Sequence, residues 1–211
     1  MNGKPVKMKK LTPKVYLRDT NEFFVVCLKK YFKSLPEVEV SHGDIFGIKA
    51  DAIVSPANSF GDMGGGIDLA YREKFGMDTQ KFIQRIIKAR WYDELPVGQA
   101  ISIPLKKQDY KHLIVAPTMR LPMNVDNSLN VYASTRAALL KAKDLDVTSV
   151  LFPGMGTGTG GACPEMAARQ MFVAYLNVVR DISPKHLEHI FKQMHWMLRC
   201  SRDEKNQREQ K

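Results

Sequence analysis

The stretch Asn58-Ser-Phe-Gly-Asp-Met-Gly-Gly-Gly-Ile-Asp68 (loop 1) decides how this chain folds, because it joins a short apolar run to a segment with helical spacing. The apolar run is Ala52-Ile-Val54, and the helical segment extends to Phe75. Three consecutive glycines leave backbone N–H groups uncovered, and such groups at a helix N-terminus can cradle a phosphate. A tight turn needs only one glycine. We therefore expect the backbone of loop 1 to approach a ligand closely.

A second glycine-rich loop, Phe152-Pro-Gly-Met-Gly-Thr-Gly-Thr-Gly-Gly161 (loop 2), repeats this arrangement further along the chain. Two such loops predict one elongated, phosphate-containing ligand that is held from both sides. Loop 1 lacks the G-x-G-x-x-G fingerprint, and no G-K-[ST] of a Walker loop occurs anywhere. The G-x-G-x-G of loop 2 comes late in the chain. A nicotinamide-dependent dehydrogenase is therefore disfavoured.

Predicted strands alternate with predicted helices, which favours an α/β fold with a largely parallel sheet. Asn21 is expected to cap the first helix. The predicted strands cover residues 15–17, 38–40, 52–54, 99–103, 113–116 and 149–152; the predicted helices cover residues 22–32, 68–75, 78–91, 129–143, 165–179 and 184–198. Ligands of such sheets bind beyond the carboxyl ends of the strands, so both loops should lie at one rim.

Length and composition predict one domain over residues 1–211, with a motif-bearing core over about 38–180 and a basic tail over about 201–211. No apolar run approaches the roughly 20 residues that cross a bilayer. Three widely spaced cysteines, Cys27, Cys163 and Cys200, indicate neither a disulfide framework nor a metal site. We expect a cytoplasmic protein with no membrane partner, no metal and no cofactor.

The net charge of +10 is concentrated towards the ends of the chain, in residues 4–10 and 199–211. A solvated basic surface is the preferred interpretation, although such an excess also attracts phosphorylated ligands and other polyanions. A nucleic-acid partner is the weaker alternative, since no RNA-recognition signature of aromatic residues on alternating strand positions is evident.

Several polar residues have two open interpretations. Asp44 can cap a turn after Gly43, or it can accept a hydrogen bond from an exocyclic amine. Asn58 and Asp68 flank loop 1 and can serve as turn and cap residues, or they can converge on one ligand as catalytic groups. Arg120 can face either the ligand or the surface.

Four motifs taken together resemble the macrodomain family of ADP-ribose-binding modules. Their order and intervals match over most of the chain: Gly43-Asp-Ile45, Asp51-Ala-Ile-Val-Ser-Pro-Ala-Asn58, Gly64-Gly-Gly-Ile-Asp68 and Phe152-Pro-Gly-Met-Gly-Thr-Gly-Thr-Gly160. The segment Ala116-Pro-Thr-Met-Arg-Leu-Pro122 is similar to one found in a bacterial-type subgroup. The resemblance implies a three-layer α/β/α sandwich around a mixed, largely parallel sheet.

The resemblance also implies roles for individual residues. Asp44 and the Ile45 backbone would read the adenine amine, the two loops would clamp the diphosphate and distal ribose, and Asn58 would bond the distal ribose hydroxyls. In the hydrolytic branch, an acid at the position of Asp68 orients or activates the attacking water, so Asn58 and Asp68 are the candidate catalytic pair. The candidate ligand-binding set is Asp44, Ile45, Ala57, Asn58, Gly64, Gly65, Gly66, Ile67, Gly156, Thr157, Gly158, Thr159 and Gly160.

The chain departs from the family pattern at three places. Ser55-Pro-Ala-Asn58 replaces an Asn-Ala-Ala-Asn run, and Gly160 stands where hydrolytic members often carry an aromatic residue. Loop 2 is also one residue longer than the family pattern. In addition, the usual last strand after the final long helix is not evident, so an adenine-stacking aromatic residue is not assigned.

Three functions remain open on this basis. The first is binding of ADP-ribose or a derivative, with hydrolysis of a group at the distal ribose (mono-ADP-ribosyl, O-acetyl or 1″-phosphate). The expected partner is then ADP-ribose or an ADP-ribosylated substrate. The alternatives are a non-catalytic ADP-ribose reader and a nucleic-acid-binding module.

Overall fold

A computed structural model describes residues 12–106 and 109–194. Its strands are β1 Lys14–Asp19, β2 Val38–His42, β3 Ala52–Ser55, β4 Ile101–Pro104, β5 His112–Val115 and β6 Ser149–Phe152. Its helices are α1 Glu22–Phe32, α2 Gly66–Phe75, α3 Asp78–Trp91, α4 Asn130–Asp144 and α5 Pro164–Val178, with a short 3₁₀ helix at Ile45–Gly47 and further helical residues at 188–194.

The six strands form one sheet in the order β2-β1-β6-β3-β5-β4. All neighbouring pairs are parallel except β4 and β5, which are antiparallel. Helices cover both faces of the sheet. The expected three-layer α/β/α sandwich around a mixed, largely parallel sheet is therefore confirmed.

Side-chain alternation along the strands builds the two halves of the core. Ile53 and Leu151 point to the face that packs against α2 and α3. Their neighbours in β3 and β6 point to the opposite face, which α1, α4 and α5 cover. Because β3 is buried on both faces, it has no polar position until Ser55 at its end.

Local signals in the sequence fix where several helices begin. The side chain of Asn21 caps α1 as predicted and accepts a 3.0 Å hydrogen bond from the Phe24 N–H. Pro164 occupies the first turn of α5, where its missing N–H costs nothing.

The absence of an evident strand after the final long helix, noted in the sequence, agrees with the structure. No strand follows α5 within the described residues, and β1, from the N-terminal side, fills the position between β2 and β6. The helix predicted over 184–198 begins later, since residues 184–187 form turns and 188–194 are helical; residues 195–198 lie outside the described part. Among the described residues, every helix is too short or too polar to traverse a bilayer.

Candidate functional site

The carboxyl ends of the parallel strands surround one cavity of about 700 Å³. Every strand except β4 delivers a lining segment where it ends or shortly beyond. These segments contribute residues 18–20 at the end of β1, 43–46 after β2, 56–58 after β3, 118–119 after β5, and 153–154 and 156–160 after β6. Loop 1 and loop 2 therefore face each other across one shared space.

The structure brings together all residues of the candidate ligand-binding set. Each of them lines this cavity, and so does Asp68. Their contact with a ligand stays a prediction, but the condition that the prediction required, a single cavity between the two glycine loops, is met.

The two loops present unused backbone donors to the cavity. Within the described part of the chain, the N–H groups of residues 64–67 and 156–160 donate to no protein acceptor. Residues 64–67 also lie at the N-terminus of α2, where the helix dipole favours negative charge. A diphosphate placed between the loops would offer oxygen acceptors to such donors.

Gly65 shows why loop 1 is rich in glycine. A Cβ atom added to Gly65 would meet nothing within 4 Å, and its φ of −155° is open to any residue. Neither packing nor backbone conformation therefore demands glycine at this position. Gly65 is the N-cap of α2, a position where glycine is favoured, and close approach of a ligand is the second physical reason for it.

Asn58 shapes loop 1 from within. Its Oδ1 accepts hydrogen bonds from the N–H groups of Phe60 and Asp62 at 3.0 and 3.2 Å, and its Nδ2 donates to the Asp62 carbonyl at 3.1 Å. The turn role weighed for Asn58 is thus present. The amide nitrogen carries a second hydrogen, so one donor is left over for a ligand.

Asp68 is the most perturbed acid of the cavity. It lies in the first turn of α2, is only 9% exposed, and accepts a 2.5 Å hydrogen bond at Oδ1 from the Ser55 hydroxyl. Burial raises the pKa of Asp68 to about 7, against the effect of the Ser55 hydrogen bond and with a further increase from the charge of Asp62. A carboxyl group with this pKa can exchange a proton near neutral pH.

Asp44 and Arg18 form the opposite end of the cavity. Asp44 caps the 3₁₀ helix, and its Oδ1 accepts from the Phe46 N–H at 3.0 Å. The Arg18 guanidinium donates to the Asp44 carbonyl at 2.6 Å and to the Ser41 hydroxyl at 2.9 Å. It lies so close to Gly43 that a Cβ atom there would come within 2.5 Å of it. Only glycine fits beneath this guanidinium without displacing it.

Loop 2 leaves no room for an aromatic side chain at its end. A Cβ atom at Gly160 would lie 2.4 Å from the Gly156 carbonyl oxygen and 2.8 Å from Val125. The Gly160 carbonyl itself accepts a 2.8 Å hydrogen bond from the Val125 N–H. The backbone of loop 2 therefore excludes an aromatic side chain at position 160, which explains the departure from the family pattern there.

The charge of the cavity is mostly negative. Four of its lining residues are acids: Asp19, Asp44, Asp62 and Asp68. Among the described lining residues, Arg18 is the single basic side chain, since no other arginine and no lysine is present. The Asp44 carbonyl and the Ser41 hydroxyl, which accept from Arg18, are both uncharged, so these hydrogen bonds leave its positive charge available to a ligand.

Sequence reasoning missed the contribution of β1. Arg18, Asp19 and Thr20 line the cavity, and Asp19 also fixes loop 2 by accepting a 2.9 Å hydrogen bond from the Gly154 N–H. A signal was present, because Asp-Thr-Asn follows a strand and precedes a capped helix. Arg120 does not line the cavity; its guanidinium pairs with Glu94 at 2.7 and 2.9 Å on the surface.

These features define an α/β protein with a cavity between two glycine-rich loops at the carboxyl rim of its sheet. The chain belongs to the Macro domain family, whose model matches residues 54–171. An uncharacterized protein of Aquifex aeolicus is 37% identical over 154 residues, which cover 73% of this chain and 87% of that protein. An uncharacterized protein of Saccharolobus solfataricus is 32% identical over 154 residues, covering 73% and 82% of the two chains.

Solved macrodomain structures share the fold. The macrodomain of Mycobacterium tuberculosis DarG superposes with a TM-score of 0.56 at 23% identity, covering 65% of this chain and 88% of that one. The Oceanobacillus iheyensis macrodomain with ADP gives a TM-score of 0.58 at 23% identity, covering 66% and 75%. Thermosipho africanus DarTG in complex with ADP-ribose gives 0.54 at 18% identity, covering 67% and 38%.

Proposed function

We propose that this protein binds ADP-ribose or an ADP-ribosylated substrate and hydrolyses a bond at the distal ribose. The observation that carries the proposal is the pair of facing glycine loops, whose free N–H groups line one cavity together with the buried Asp68. Family membership supports the ligand class, and a structural relative has been solved in complex with ADP-ribose.

The ligand orientation follows from the order of the strands. Asp44 and Arg18 lie at the ends of β2 and β1 and would receive the adenine. Loop 2 and loop 1 follow the next two strands of the sheet and would hold the diphosphate and the distal ribose. In this orientation the distal ribose would lie beside Asn58 and Asp68.

The proposed chemistry needs a base beside the distal ribose. A water molecule attacks the carbon or phosphorus atom that carries the leaving group, and the Asp68 carboxylate accepts the proton of that water. The bond to the leaving group breaks as the new bond to the water oxygen forms. Free N–H groups of the loops stabilise negative charge that develops on the ligand.

The substitution Asp68→Asn tests both halves of the proposal. We expect it to lower hydrolysis of a mono-ADP-ribosylated protein, O-acetyl-ADP-ribose or ADP-ribose 1″-phosphate by at least about 100-fold, the usual contribution of a general base. Binding of ADP-ribose, measured by calorimetry with AMP and NAD as controls, should change by less than about threefold. Asp78→Asn, at an exposed acid outside the cavity, is the matched control.

The reader function is the second candidate, and the closed surroundings of Gly160 favour it, because no aromatic side chain can pack on the distal ribose from there. Tight ADP-ribose binding without hydrolysis of any of the three substrates would establish it. Absence of ADP-ribose binding would refute both candidates.

A further inference from the structure

Ser55 contacts the candidate base without belonging to the cavity. It is the last residue of β3, is 1% exposed, and does not line the cavity. Its hydroxyl nevertheless donates the 2.5 Å hydrogen bond to Oδ1 of Asp68. Ser55 therefore lies behind the carboxylate, on the side away from the ligand.

The hydrogen bond divides the two carboxylate oxygens of Asp68 between two tasks. Oδ1 is committed to Ser55, whereas Oδ2 has no hydrogen-bond partner among the described residues. Asp68 itself lines the cavity. Fixing Oδ1 thus restrains the rotation of the carboxylate and leaves Oδ2 as the oxygen that can take a proton from water.

We propose that Ser55 is a positioning residue for Asp68, which holds the carboxylate through Oδ1 and keeps Oδ2 available to the attacking water. The inference rests on the proposed hydrolytic function. It assigns a purpose to one of the departures from the family pattern, the serine at the start of Ser55-Pro-Ala-Asn58.

The groups around Asp68 make its ionisation depend on this serine. From loop 1, the charge of Asp62 raises the pKa of Asp68, in addition to the larger effect of burial. From α2, Tyr71 is uncharged, since burial raises its own pKa well above the ordinary value and its hydroxyl donates to the Val54 carbonyl at 3.0 Å. The Ser55 hydrogen bond opposes burial because it stabilises the charged form.

The test is the pH profile of hydrolysis in the full-length protein with Ser55→Ala. Removing a donor to a charged carboxylate should move the acidic limb of kcat to higher pH by roughly one to two units. The rate near pH 7 should therefore fall roughly five- to fiftyfold and recover as the pH rises. Ser134→Ala, which removes a buried serine of α4 outside the cavity, should leave the limb in place.

Two further variants separate positioning from packing. Ser55→Thr keeps the hydroxyl and should keep the limb near its original pH. If Ser55→Ala does not fold, Ser55→Cys provides a weaker donor of similar size and should move the limb in the same direction. An unmoved limb in a folded Ser55→Ala or Ser55→Cys protein would overturn the inference.

A titration of the Asp68 carboxyl carbon by NMR gives a readout that is independent of turnover. Asp68→Asn supplies the assignment, and the resonance should titrate at higher pH in Ser55→Ala than in the unsubstituted protein. The same upward movement in a protein without hydrolysis would support the Ser55 contact and refute the hydrolytic role. Hydrolysis that depends on Asp68 with an unchanged titration would refute the role of Ser55 alone.

Discussion

Arg18 is the residue through which an anionic ligand would meet a full positive charge. The cavity otherwise offers four carboxyl groups and backbone N–H groups. A guanidinium held by two neutral acceptors keeps its charge and its planar face, and both suit a nucleotide. We expect Arg18→Ala to raise the Kd of ADP-ribose about tenfold, a loss of about 1.4 kcal/mol, measured by calorimetry.

Two further variants show whether Arg18 contributes to binding through its charge or through its planar shape. Arg85→Ala removes an exposed arginine of α3 outside the cavity and should leave the Kd unchanged. Arg18→Lys keeps the charge but loses the planar fork, so an intermediate Kd would show that shape contributes. An Arg18→Ala protein with unaltered affinity would show that the ligand does not reach the end of β1.

At the same scale, the sequence could indicate Asp68 and Asn58 but not Arg18. Asp68 and Asn58 lie in loop 1, whose consecutive glycines predict a ligand-binding site. Arg18 lies in β1, and its relevance depends on β1 pairing with β2, which brings Arg18 beside Ser41. Pairing between strands that are distant in sequence depends on the tertiary fold, so the local pattern of residues around Arg18 does not predict it.

At the scale of elements, the two glycine loops differ in what their glycines do. Gly65 has free space around its Cα, whereas Gly160 is enclosed by the Gly156 carbonyl and Val125. Because Gly65 is the N-cap of α2, we expect Gly65→Ala to lower the free energy of unfolding by no more than about 1 kcal/mol, while raising the Kd of ADP-ribose at least tenfold. Thermal unfolding and calorimetry measure the two effects.

Gly160→Ala is the contrasting substitution in loop 2. Its methyl group would collide with backbone, and overpacking of this kind costs about 1 to 3 kcal/mol. It should lower the thermal midpoint, and any loss of binding would follow from the displaced loop. Equal stability losses in Gly65→Ala and Gly160→Ala would contradict a ligand-dependent reason for the glycine at position 65.

Elements with explicit start and stop signals were predictable almost to the residue. α1 and α3 have the predicted bounds, because Asn21 caps α1 and Gly76 interrupts the chain before α3. β1 proved longer than the predicted 15–17, and β4 begins at Ile101 rather than at residue 99. Strand ends depend on which neighbours supply hydrogen bonds, and short apolar runs do not reveal them.

For the whole molecule, the distribution of charge separates the competing functions. The described residues carry 22 lysines and arginines against 19 aspartates and glutamates, so seven of the ten net positive charges belong to segments outside them. The cavity itself contributes Arg18 as its single cation among the described lining residues. A ligand bound there would therefore depend little on the excess charge of the chain.

This distribution predicts a weak response of ADP-ribose binding to salt. Raising the salt concentration from 50 to 500 mM should change the Kd of ADP-ribose by less than about fivefold, because one partly enclosed cation is screened less than an exposed cluster. Binding of a nucleic acid through six or more phosphate contacts would instead weaken about a thousandfold or more between 50 and 200 mM. Calorimetry with ADP-ribose and fluorescence anisotropy with a labelled oligonucleotide measure the two cases.

Replacing Lys4, Lys7, Lys9 and Lys10 by glutamine provides the control for that experiment, since it removes four positive charges outside the described residues. Oligonucleotide binding should weaken, and its dependence on salt should become less steep, while ADP-ribose binding should stay within twofold. If ADP-ribose binding also collapsed at high salt or in this variant, the backbone donors of the two loops would not be the main source of affinity. The basic ends of the chain would then have to contact the ligand, and the proposed orientation of the ligand along the sheet would be wrong.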